Sequence, residues 1–423
     1  MLGFLISNSR HQIARKDTPL KKWQILALLT TGHACEHWFQ GVLGPVIPYL
    51  TADLGLTLTQ VGLLFTGRAV MSALSSVGTG YVIDSYGGGK WLLVGCMASV
   101  GLFYGGASLA TGFLTLAPII WLSGLATHIW HPPSMGLLGM RFEGRKGFAL
   151  GVHGTGANLG QTLAPIIAGY LLLVMTWRGV LLANTIPLFL TAMLLWVFLE
   201  PFQISGKRKP DSAITPGNSV DALIKNPGMM GACVFSGVRT LAHNIVSIFL
   251  PILLVRKYGV GPSTLGIALG VYSAASIFPE TIVGYLSDRI SRKLILFIGT
   301  AAGGVALFLV PYAGTGIFLY VCIAAVGVFL ISMRSVIFAY GFEVSPPRLA
   351  GSVVGVIFTA NQIFVGLGLF FLGILADAYG LEFVFGAIGI ACLGSLVAFS
   401  WLPGTKGDSA LHQAAADPGD PMR

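Results

Sequence analysis

The residues with the clearest chemical potential are His33-x-x-Glu36-His37, followed by Gln40. At about 100° per residue on a helix, all four side chains fall on one face. Two imidazoles beside a carboxylate can carry a proton, because the charge of Glu36 is stabilised or released as His33 and His37 titrate. His33, Glu36 and His37 are also suitable ligands for a divalent metal. The spacing further matches the H-x-x-E-H signature of one class of zinc peptidases. No soluble catalytic domain surrounds it, so peptidase chemistry is set aside.

Other ionisable residues stand in apolar surroundings: Arg68, His128, His131, His153, Arg239 with His243 one turn on, Glu280 and Arg334. Each is costly in hydrocarbon unless it faces a cavity or a partner. These positions hold three arginines and six histidines against two glutamates, which points to an anionic substrate such as a carboxylate or phosphonate. Arg239, Arg334 and Arg68 are the expected clamps, with the histidines and Gln40 beside them. Glu36, flanked by His33 and His37, is the first candidate for proton coupling and Glu280 the second. No Met-, Cys- or His-rich loop accompanies the first cluster. A metal or metal-chelate carrier using His33, Glu36 and His37 is therefore the alternative, and no metal is assigned.

The elements that must hold these residues are membrane helices. The chain of 423 residues is 54% hydrophobic and 10% charged, against roughly one quarter charged in soluble domains. Read with a window of about 19 residues, apolar spans fall near 23–50, 60–83, 91–112, 115–140, 147–174, 179–199, 228–255, 263–287, 293–313, 315–341, 350–376 and 383–402. The expected fold is all-α and polytopic, with twelve transmembrane helices. It divides into an N-terminal tail (1–22), a six-helix bundle (23–199), a polar linker (200–227), a second six-helix bundle (228–402) and a C-terminal tail (403–423).

Net charge of +9 might suggest a nucleic-acid partner, but the basic residues are scattered between spans rather than gathered in a stripe. They distribute by side. Arg178, Arg256 and Lys257 lie in loops on one side, Arg68, Arg239 and Arg334 lie within spans, and the rest of the 25 lie on the side of the termini. Both termini are expected in the cytoplasm, in a cytoplasmic (inner) membrane. The five cysteines are dispersed in apolar stretches and form no disulfide or zinc pattern. No G-x-x-x-x-G-K-S/T loop exists, so the protein is expected to need no nucleotide and no cofactor.

The two bundles are repeats. At one constant offset, Gly55 meets Gly259, Gly62 meets Gly266, Gly80-Tyr81 meets Gly284-Tyr285, Asp84 meets Asp288, Gly147 meets Gly351 and Gly151 meets Gly355. On this register Arg239 stands at the level of Cys35, and Arg334 at the level of Trp130 beside His131. The polar groups of spans one, four, seven and ten thus share a depth.

Two loops carry a resemblance. Gly80-Tyr-Val-Ile-Asp84-Ser-Tyr-Gly-Gly-Gly-Lys90 and Gly284-Tyr-Leu-Ser-Asp288-Arg289-Ile-Ser-Arg292-Lys293 resemble the signature loop of the major facilitator superfamily, G-x-x-x-D-R/K-x-G-R/K-R/K. The resemblance implies two pseudo-symmetric six-helix bundles that rock about a central cavity lined by spans one, four, seven and ten. It also implies that Gly80, Asp84, Lys90, Gly284, Asp288, Arg289 and Arg292 form conformational latches. Ser85 replaces a base in the first loop and Ser291 a glycine in the second.

The fifth span, with Gly156, Gly160, Pro165 and Gly169, looks like the glycine-proline motif of the family's antiporters. Ala164 and Ala168 stand where that motif has glycines. Thr127-His128-Ile-Trp-His131-Pro132-Pro133 and Gly151-Val-His153-Gly-Thr-Gly156-Ala-Asn158 resemble the fosmidomycin-resistance-type branch, which adds Asn158 to the candidate substrate contacts. The expectation is a monomeric secondary transporter in a lipid bilayer, coupled to protons, with efflux antiport favoured over uptake symport and no enzymatic activity.

Overall fold

The computed structural model describes residues 20–86, 88–127, 129–202, 221–346 and 349–399. Residues 1–19 of the expected N-terminal tail, the expected C-terminal tail, the centre of the linker and His128 lie outside the described residues.

Among the described residues the helices fall into twelve successive segments, which are called spans one to twelve. The first is Lys22–Asp53, the second Leu58–Tyr86 and the third Gly89–Ala107. The fourth runs Phe113–Thr127 and resumes as His131–Arg141, and the fifth is Lys146–Leu171. The sixth is Trp177–Ala183 with Thr185–Phe198, the seventh Pro227–Tyr258, and the eighth Pro262–Ala274 with Ile277–Arg289. The ninth, Arg292–Leu309, ends in a short tight turn. The tenth runs Ile317–Val326 and Met333–Glu343 around a π-helical stretch, Gly327–Ile331. The eleventh is Ala350–Tyr379 and the twelfth Leu381–Phe399.

Among the described residues, eight of these segments are long and apolar enough to cross a membrane by length and composition. The first, second and fifth are as long but are not among the eight. Polar residues fall in both groups: His33, Glu36, His37, Gln40, Arg68, His153, Asn158 and Gln161 lie in these three, and His131, Arg239, His243, Glu280 and Arg334 in spans of the eight.

The repeat appears in local geometry. Gly55 and Gly259 end the first and seventh spans with φ of +59° and +61°, the left-handed turn that stops a helix and favours glycine. The break in span four after Thr127 and the π-helical stretch ending at Ile331 stand one repeat apart. Such irregularities gather at functional sites. His131 and Arg334 emerge just beyond them.

The halves interlock by a symmetric pair of helix crossings. A side-chain carbon at Gly62 would collide with the backbone carbonyl of Leu369 in span eleven, and one at Gly266 with that of Pro165 in span five. Each donor glycine and each carbonyl lies one repeat from its counterpart. A bare backbone is what lets these helices approach. Thr66 also donates a 2.7 Å hydrogen bond to the Gly366 carbonyl across the same seam. Toward the termini the walls separate: a carbon added at Gly147, Gly151, Gly154 or Gly355 would meet open space. The protein is closed at the end remote from its termini and open at the end that carries them.

Candidate transport site

The first span places its polar face against spans four and five. Gly156 and Gly160 of span five press on the backbone of Thr30 and Ala34, and this close packing brings His153 beside His33. Their rings stack with centroids 4.1 Å apart. The Nδ1–H of His33 donates to the His153 carbonyl at 2.9 Å, which leaves the lone pair on Nε2. That Nε2 is buried with no hydrogen-bond partner. Glu36, 1% exposed, accepts a 2.7 Å hydrogen bond on Oε1 from Gln40, and its Oε2 lies 3.4 Å from His37 Nε2. His131, at the start of the helix that resumes span four, has its ring 5.2 Å from that of His33 and 6.2 Å from that of His37. The face expected from residue spacing thus forms, and His131 completes it from another span.

Between the halves lies a cavity lined from the N-terminal half by Gln40, Phe65, Arg68 and Gln161 and from the C-terminal half by His243, Asn244, Ser247, Leu269 and Tyr272. His243 Nδ1 and the Tyr272 hydroxyl share a 2.7 Å hydrogen bond. The Nε atoms of Arg68 and Arg239 are buried and have no hydrogen-bond partner, although Arg239 donates from Nη2 to Thr240 at 3.0 Å. Asn158 is half-buried in span five and is not part of the cavity wall.

Arg334 and Glu280 are not independent. The Arg334 guanidinium forks the Glu280 carboxylate with bonds of 2.9, 3.1 and 3.2 Å. The charge of Arg334, one of the expected clamps, is thus engaged by an acid of span eight.

Of the latch residues, the side-chain surroundings of Gly80 and Asp84 lie outside the described residues. Lys90 is buried, with its ammonium 5.4 Å from the Trp91 ring. In the second loop Arg292 bonds Asp288 at 2.7 Å, Ser287 at 2.9 Å and Glu343 of span ten at 2.8 Å, and Arg289 lies over the Tyr285 ring. Gly284 does not mark a close helix approach in this conformation, since an added carbon would meet only Ser335 Oγ at 3.5 Å.

Tyr272, Asn244, Gln161 and Glu343 were not anticipated. Two of them had a signal in the repeat: Asn244 is one repeat from Gln40, and Tyr272 one repeat from Arg68.

Two stretches of the chain, residues 29–242 and 232–421, match the sequence profile of the Major Facilitator Superfamily. The chain belongs to the major facilitator superfamily. The fosmidomycin resistance protein of Escherichia coli (strain K12) is 26% identical over 374 residues, covering 85% of this chain and 88% of that protein. A probable nitrate/nitrite transporter of Mycobacterium tuberculosis is 24% identical over 370 residues, covering 82% and 86%. Among solved structures, a bacterial homologue of the human lysosomal transporter Spinster, in an inward-facing and occupied conformation, superposes with a TM-score of 0.76 at 15% identity. That match covers 96% of this chain and 100% of the other. Superfamily membership makes this multi-pass membrane protein a secondary transporter of small molecules and not an enzyme.

Proposed function

We propose that the protein exports a small organic anion across the cytoplasmic membrane in exchange for protons. The observation that carries this reading is the pair of buried, unpartnered guanidinium nitrogens on Arg68, which lines the cavity between the halves, and on Arg239 of span seven. A buried cation without a countercharge is expensive, and an anion that supplies both charge and hydrogen bonds removes that cost. Amides of Gln40, Gln161 and Asn244 and the Tyr272 hydroxyl provide neutral contacts from both halves. The names of the nitrate/nitrite and fosmidomycin-resistance relatives support an anion and efflux respectively. One chain contains both walls, so a monomer suffices.

Coupling is assigned to Glu280. Protonating it releases Arg334 for substrate, and losing the proton recaptures the arginine, so proton and anion alternate at one guanidinium. The excess of Lys and Arg in loops on the side of the termini supports a cytoplasmic location for both ends. On that orientation the conformation described above opens to the cytoplasm.

Anion counterflow in proteoliposomes tests the substrate class. Arg68→Gln and Arg239→Gln each remove a charged hydrogen bond of about 1.5–3 kcal/mol, and KM should rise roughly 10- to 150-fold. Undiminished exchange of every anion tried would overturn the reading. Direction follows from inside-out vesicles: an acid lumen drives substrate inward for an antiporter and outward for a symporter.

A further inference from the structure

The cluster on the first span satisfies a demand that anion transport does not make. One ligand atom from each of His33, Glu36, His37 and His131 lies within 4.8 Å of every other. On a tetrahedron with bonds of about 2.0–2.1 Å, ligand atoms stand about 3.3 Å apart, so small side-chain rotations would close these four on one ion. His33 and His37, four residues apart, present their rings to the same side of a helix, as in helical zinc sites. His131 approaches from span four at the start of the helix that follows its break.

The supporting contacts are those of a ligand set. A metal-bound imidazole donates its other N–H to a carbonyl or carboxylate, which fixes the tautomer and aims the lone pair. His33 does this toward the His153 carbonyl, leaving a buried Nε2 without a partner. The stacked His153 ring holds its plane. A ligating carboxylate is likewise steadied on one oxygen, and here Gln40 donates to Oε1 while Oε2 stays buried on the cluster side. Glu36 is 1% exposed, at a depth where a lone carboxylate charge is costly.

We propose that His33, Glu36, His37 and His131 bind one divalent first-row transition-metal ion of the Zn²⁺ class. Three imidazole nitrogens and one carboxylate oxygen favour Zn²⁺, Co²⁺ or Ni²⁺ over Mg²⁺ or Ca²⁺, which take oxygen ligands. The His37 side chain is 20% exposed, so the cluster is not sealed on every side. All four ligands belong to spans one and four of one bundle, so rocking of the halves does not dismantle the site.

The test uses the full-length protein purified without a polyhistidine tag, stripped by chelator and titrated with Co²⁺, with Zn²⁺ as competitor. One Co²⁺ per chain should bind with the intense visible bands of a tetrahedral site, and Zn²⁺ should bleach them. His33→Ala should abolish the bands. Gln40→Ala, which removes the hydrogen bond that steadies Glu36 and none of the four ligands, should weaken binding by about 10- to 100-fold. His243→Ala, outside the cluster, should leave it unchanged. Because an alanine variant could lose its fold, His131→Cys gives a positive signature: retained binding with a new sulfur-to-cobalt charge-transfer band. Absence of tetrahedral bands in the wild type, full binding by His33→Ala, or no charge-transfer band in a His131→Cys protein that elutes as the wild type does would each overturn the proposal. Anion exchange by the stripped wild-type protein reads the preceding proposal separately.

Discussion

Asp377, near the end of span eleven, accepts hydrogen bonds from both the backbone N–H and the hydroxyl of Thr59, at 2.8 and 2.6 Å, in the first turn of span two. Its other oxygen accepts from the Leu58 N–H at 2.8 Å. A carboxylate from one half therefore caps the helix start of the other, where unpaired N–H groups and the helix dipole attract negative charge. Asp377→Ala should shift the protein away from the state closed at this end by about 1–3 kcal/mol, roughly 5- to 150-fold in population. The measurement is labelling of a Ser247→Cys reporter in the cavity by an impermeant thiol reagent added on that side, in a Cys35→Ser background. The other natural cysteines are buried. Labelling no faster than in the parent would contradict this account of the seam.

The same reporter addresses the glycine crossings. Gly62→Ala and Gly266→Ala each drive a carbon into a backbone carbonyl, which cannot swing aside as a side chain can. Overpacking of this kind costs about 1–3 kcal/mol, and the two variants should expose the reporter to similar degrees because their contacts are related by the repeat. Gly151→Ala, whose new carbon enters open space, should leave this closure unchanged. A Gly266→Ala protein that labels as slowly as its parent would show that the helices have slack at the crossing.

Glu280 and Arg334 make a prediction about coupling. Glu280→Gln keeps the shape of the acid and removes both its charge and its proton, so substrate exchange should persist while accumulation driven by a pH gradient is lost. Arg334→Lys retains the charge but not the two-pronged fork, and should raise KM by about tenfold with coupling preserved. Substrate-linked proton movement in proteoliposomes separates the two effects. Normal lumen acidification by Glu280→Gln would remove this residue from the coupling step.

Much of this arrangement was legible in the sequence because helices impose a period and the halves impose an offset. Both signals survive without knowledge of contacts. The face of His33, Glu36, His37 and Gln40 follows from angular spacing alone, and Gly62 and Gly266 from the repeat. The place of His131 in that cluster depends on the break in span four; Pro132 and Pro133, in the first turn of the helix that resumes there, mark such a break, but not which side chains His131 then meets. The pairing of Glu280 with Arg334 joins two spans, and residue types alone made Arg334 look available to substrate. Asn244 and Tyr272 were visible in the repeat opposite Gln40 and Arg68, but a neutral amide or phenol does not stand out in an apolar span as a charge does.

The second signature loop closes on a ranking. Arg292 joins the ends of spans eight, nine and ten through Ser287, Asp288 and Glu343, and its side chain is 12% exposed. Asp288 is 64% exposed and Glu343 28%. An exposed ion pair is worth about 0–1 kcal/mol because water screens it, whereas a better-buried partner leaves an arginine poorly compensated when it is removed. Arg292→Gln should therefore lower the thermal midpoint of the solubilised protein most, Glu343→Gln next and Asp288→Asn least. Glu343 links Arg292 to span ten, while Asp288 pairs with it only from the end of span eight. A larger loss for Asp288→Asn than for Glu343→Gln would mean that the aspartate acts through a contact other than Arg292, as a latch to the opposite half would.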